Sequence, residues 1–175
     1  MDPNWQGQLA ALRDTTAFPA FHQLPDESII DFDFYGSTDG YAYTPRIHWC
    51  FLAEIVDITF FTRLRIIVKD VSGRLVPIFF HTHDGGMGLA TSGLRVGYTV
   101  AILYAHQTTL PLNPTCEYIH QQVAETVKVF PVPLSELLHA SDAVQRYAVE
   151  CDGVRTCHGC DQEHASKICS KCKMM

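Results

Sequence analysis

Three groups of residues have the types and spacing for chemistry. The first is Cys157-His158-Gly159-Cys160, followed after eight residues by Cys169-Ser170-Lys171-Cys172. A C-x-x-C pair brings two thiolates onto one metal through a tight turn, and Gly159 supplies the backbone freedom that such a knuckle needs. Four thiolates favour Zn2+, which is tetrahedral, redox-inert and borderline-soft. The alternative, four free surface thiols, is a hazard in a soluble protein, so Cys157, Cys160, Cys169 and Cys172 are expected to be zinc ligands. The second group is His81-Thr82-His83. Residues i and i+2 of a strand share a face, so His81 and His83 suit one metal, but a catalytic zinc needs a third protein ligand. His106 and His120 are available, but nothing local fixes them nearby, and a strand end running into a Gly-rich loop explains the same residues. The third group is Arg63, Arg65 and Lys69, with Phe79 and His81 on the neighbouring strand. Cations that track phosphate beside a ring that stacks a base are the means of holding a single-stranded nucleic acid. The competing reading is an ordinary exposed strand face.

No nucleophile elbow, Walker A loop, dinucleotide-binding glycine set or H-E-x-x-H pair occurs. Cys50 lies in an apolar stretch and reads as a core thiol. These observations lead us to expect no enzyme activity. The net charge of −6 excludes a general polyanion binder and leaves room for a local basic face. Residues 1–44 carry seven acids against one arginine, whereas residues 45–107 carry six bases against four acids. The N-terminus lacks the features of a secretory signal, and no apolar run approaches the ~20 residues of a membrane span. The expected location is the cytoplasm or nucleus, without a membrane partner.

These side chains must be positioned by a mainly β framework. Residues 1–46 read as an acidic N-terminal arm with a short helix through Trp5, Leu9 and Leu12, residues 47–150 as a β domain with a helix, and residues 151–175 as a zinc-binding segment. Leu64, Ile66 and Val68 alternate with Arg63, Arg65 and Lys69, the pattern of a half-buried strand. Val71-Ser72-Gly73 is a turn. The next strand spans Arg74–His81, and Pro77 within it suggests an edge or a bulge. Residues 82–97 are predicted to form a glycine-rich loop, Tyr98–His106 a strand and Leu110–Pro114 a turn. Residues 116–132 are extended, as one long strand bent near Ala124. A helix capped by Ser135 follows.

The order of strands, with Ala53-Glu54-Ile55-Val56-Asp57, Arg65 to Gly73 and Leu94-Arg95-Val96-Gly97-Tyr98-Thr99-Val100, resembles an OB-fold over residues 47–132. That resemblance implies a small five-stranded barrel. Cys157, Cys160, Cys169 and Cys172 resemble the first four ligand positions of a MYND-type zinc finger. In that family the pairs interleave with ligands further on, which here would fall beyond Met175, so a shortened finger is expected. The resemblance implies recruitment of a protein partner, such as a proline-containing peptide. The leading expectation is therefore a non-catalytic, zinc-binding protein-interaction adaptor. Its rivals are a single-stranded nucleic-acid-binding OB-fold protein and a metalloenzyme built on His81 and His83.

Overall fold

A computed structural model describes residues 10–110 and 113–148. The chain divides into two compact units, the larger being Arg13–Leu137. Its strands are β1 (Tyr35–Gly36), β2 (Thr44–Pro45), β3 (Cys50–Phe60), β4 (Leu64–Asp70), β5 (Leu75–Phe80), β6 (Thr99–Leu103), β7 (Gln107–Leu110), β8 (Asn113–Gln121) and β9 (Val127–Phe130). A short helix, α1 (Met87–Thr91), precedes β6, and α2 (Leu134–Ala148) follows β9. The first turn of α2 belongs to the larger unit, where the Leu134 N–H donates to Glu54 Oε2 at 3.2 Å.

β1 and β2 form a small antiparallel ladder, and the other seven strands form one sheet in the order β7-β8-β5-β4-β3-β6-β9. Every pairing in that sheet is antiparallel except β5 with β8. The sheet is open, with β7 and β9 at its edges. This corrects the expected five-stranded OB-like barrel. The physical cause lies in residues 107–130. Gln107–Leu110 forms a strand of its own beside β8, and the extended run after Cys116 is broken at Ala124–Thr126 by a single 3-10 turn. The two halves of that run then join opposite sides of the sheet, so no bent strand remains to close a barrel. Residues 82–97 hold α1, where a continuous loop was expected.

Alternation decides which face is covered. Leu64, Ile66, Val68 and Asp70 of β4, Val76, Ile78 and Phe80 of β5, and Ile119 of β8 are buried on one side. Phe21 and Leu24 join them in one core cluster with Trp49, Phe51, Ile55 and Ile102. The segment before Gln23 is stitched down by backbone hydrogen bonds, among them Cys50 N–H to the Ala17 carbonyl at 2.8 Å. Asp70 is buried at the end of β4 and accepts four hydrogen bonds: from Phe21 N–H, Ser72 N–H, the Ser72 hydroxyl and Arg74 N–H. It thus holds the β4–β5 turn and the covering segment together. Gly73 completes that turn at φ +86°. Pro77 is tolerated inside the sheet because it stands just before the β5–β8 register begins at Ile78, where a missing N–H costs no ladder bond.

Candidate functional site

The outer face of β4, β5 and β8 carries the side chains that the core does not take. Cross-strand register places Thr59, Arg65, Phe79 and His120 in one row. The Arg65 guanidinium lies 5.8 Å from the centre of the Phe79 ring. Tyr118 meets Phe79 edge-on at 5.3 Å. His81 continues β5 outward and meets His120 edge-on at 4.5 Å. The ladder of β3 with β6 runs to Glu54, a β-bulge interrupts β3 against β4 between Ile55 and Asp57, and the β3–β4 hairpin runs on past β6. At its tip Phe61 is 91% exposed. Between the tip and β5 lies a recess of about 250 Å3 bounded by Phe61, Arg63, Arg65, Phe79 and His81.

The loop after β5 sets the position of Arg63 and His81. Asp84 accepts from the Thr82 hydroxyl and from Gly86 and Gly88 N–H, which hold its carboxyl down to about 2. Gly86 has φ +83°, and a Cβ there would stand 2.6 Å from the Leu64 Cβ. The loop therefore packs directly against the start of β4, and Leu64 N–H donates to the Gly85 carbonyl at 2.8 Å. Burial, then the positive charges of His120 and Arg63, lower the His81 pKa. His81 is therefore mainly neutral at pH 7, and Arg63 and Arg65 supply the positive charge of the recess.

Four of the five residues expected on a basic and aromatic face thus border one recess: Arg63, Arg65, Phe79 and His81. Lys69 faces the same side but stands further along β4, between Glu54 and Leu75. Phe61 and Tyr118 were not expected there, and His120 was expected only as an available ligand for a metal on His81 and His83. An aromatic at the tip of a hairpin, Phe61, was a signal passed over. Nothing in the sequence joins Tyr118 or His120 to this face, because only the parallel β5–β8 pairing brings them to Phe79.

The metal expectations are corrected. β5 ends at Phe80, so His81 and His83 do not share a strand face, and the ring that His81 meets belongs to His120. Among the described residues no group of three or more His, Cys, Asp or Glu side chains is placed to hold a metal ion, and Cys50 and Cys116 are free thiols. Cys157, Cys160, Cys169 and Cys172 lie outside the described residues, as does the expected helix through Trp5 and Leu9. Neither a zinc-dependent adaptor nor a His81/His83 metalloenzyme is supported. No described helix is long and apolar enough to cross a membrane.

No protein-family model matches the chain, so neither a MYND-type finger nor the proline-containing peptide it implied is carried further. No curated protein sequence matches it either. Among solved structures, the chain is similar to the crystal structure of Schizosaccharomyces pombe Pot1pC bound to ssDNA (CGGTTACGGT), at 8% identity and a TM-score of 0.39, over 58% of this chain and 93% of that one.

Proposed function

We propose that the larger unit is a non-catalytic binding module that takes a short single-stranded stretch of nucleic acid across the outer face of β4, β5 and β8. The observation that carries this reading is the recess lined together by Arg63, Arg65, Phe61 and Phe79, with the Arg65 guanidinium over the Phe79 ring. Bases offer π-faces and the backbone offers phosphates, and a single strand presents both together, whereas a duplex hides its base faces. The recess is a shallow feature on an exposed sheet face, which suits a threading polymer. No barrel is needed for it. A cytoplasmic or nuclear location suits such a partner.

The test is fluorescence anisotropy of the full chain with labelled single-stranded oligonucleotides. Two phosphate contacts give a log–log salt slope of about −1.4, so a four-fold rise in salt weakens binding about seven-fold. Exchanging Arg63 and Arg65 for Glu abolishes binding. Phe61→Ala removes a stacking platform worth about 1–3 kcal/mol per base without touching the core. Absence of binding at low salt, or equal affinity for duplex and single strand, rules the reading out.

A further inference from the structure

A second recess, of about 190 Å3, is separate from the basic one and of opposite character. Its walls are the rings of Tyr35, Tyr43 and His106, and its rim carries the carboxylates of Asp26 and Glu27. The walls are held in place. The Tyr35 hydroxyl and His106 Nε2 share a hydrogen bond of 2.6 Å, and their rings lie nearly parallel, 17° apart. Buried Trp49 meets both rings edge-on, at 5.5 and 5.8 Å. The β1–β2 ladder, with Tyr35 opposite Pro45, brings Tyr43 alongside. Burial lowers the His106 pKa against the opposing pull of Glu27 and Asp26, so the ring is mainly neutral at pH 7.

Rings presenting negative faces beside carboxylates make a site for an organic cation. The surroundings indicate what carries that cation. Residues 26–46 hold five acids and one base, Arg46, which donates to the Phe32 carbonyl at 3.1 Å. The same segment exposes large apolar side chains: Ile29 at 71%, Phe32 at 64% and Tyr41 at 93%. A free small cation has no use for an apolar rim, whereas a peptide that alternates basic and apolar residues complements both the charge and the rim. The geometry points to a docking site for an extended basic segment of a partner protein, with the head of an arginine or lysine side chain seated between Tyr35, Tyr43 and His106. The recess shares no lining residue with the basic one, but Glu27 lies 3.3 Å from His120 Nδ1, so the two faces meet along that contact.

The probe is a fluorescein-labelled decapeptide of repeated Ile-Arg-Ser, titrated with the full chain. Binding is expected, weakening as salt rises. Tyr43→Ala and Glu27→Gln are each expected to weaken it about ten-fold, the scale of a lost cation–π or charge contact. Both residues are partly exposed, and a thermal melt matching the parent chain shows that each variant folds; Tyr43→Leu replaces Tyr43→Ala should the latter not. Citrulline in place of arginine abolishes binding. A second titration uses agmatine, a free guanidinium without a peptide. Weak or absent agmatine binding beside clear peptide binding supports the proposal. Agmatine binding as tight as the peptide's overturns it in favour of a small-molecule site. Absent peptide binding, or equal affinity in both folded variants, overturns it outright.

Discussion

Asp70 shows how much a single side chain can hold. Burial pushes its carboxyl upward, but hydrogen bonds from the Ser72 hydroxyl and from Phe21, Arg74 and Ser72 N–H outweigh burial, and its pKa is lowered. A lowered folded pKa means that its contribution is whole above the ordinary carboxylate value of about 4 and is lost as pH falls through the folded value. Asp70→Asn offers one acceptor oxygen where two are used, so Phe21 N–H or the Ser72 and Arg74 donors lose their partner. Urea unfolding at pH 7 is expected to show a loss of about 2–4 kcal/mol. The variant's stability is also expected to fall less steeply than the parent's below pH 4. An equal acid slope in both chains counts against the assignment. Gly86 is the second such position. Gly86→Ala sets a Cβ in the left-handed region against Leu64, at an expected cost of roughly 2–4 kcal/mol in the same assay. Asp70 and Gly86 looked like ordinary turn residues in the sequence, because their partners Phe21 and Leu64 are far away in the chain.

At the scale of elements, the alternation of β4 and β5 was legible. Leu64, Ile66 and Val68 face inward as their spacing demands, and α2 covers the expected stretch, although it begins at Leu134, so that Ser135 is a helical residue and not the cap. The segment around Phe21 was not legible, since one aromatic between Pro19 and Pro25 has no period to read. It nevertheless fills the core, where Phe21 is fully buried and packs edge-on against Phe51. A chain starting at residue 47 therefore lacks Phe21, Leu24 and one donor to Asp70. It is expected to show no cooperative urea transition, while a chain starting at Arg13 keeps one. A sharp transition in the shorter chain would mean that the sheet packs without its cover. The parallel β5–β8 pair was equally hidden, because side-chain pattern fixes which face is buried and says nothing about which strand lies alongside.

For the molecule as a whole, the charge is set against the proposed function. The net −6 repels a polyanion at long range, and nine histidines relieve that repulsion as pH falls. His81 stands in the recess with a lowered pKa, so it gains charge only as pH falls below the ordinary histidine range, and a bound strand favours the charged form. Oligonucleotide affinity at fixed low salt is expected to rise as pH is taken from 7.5 to about 5.5. His81→Gln removes the local part of that rise and leaves the part due to overall charge. Affinity unchanged over this range in the parent chain would place the strand elsewhere. The basic face could be read from the sequence as a list of residues on two strands. Its extent could not, because Tyr118 and His120 reach it only through the order of strands in the finished sheet.

That order also governs when the face comes into being during synthesis. β3, β4 and β5 are consecutive and antiparallel, so they assemble by short-range closure as they leave the ribosome. β8 pairs with β5 only after α1, β6 and β7 have been made. A nascent chain halted before Tyr118 carries Arg65 and Phe79 but has neither Tyr118 nor His120 to set beside them. Until then the outer edge of β5 is open to strands from other nascent chains, a hazard that grows with the delay. The strand that completes the proposed binding surface is also the one that removes this exposure, so translation pauses between Phe80 and Gln121 should raise misassembly and delay binding together.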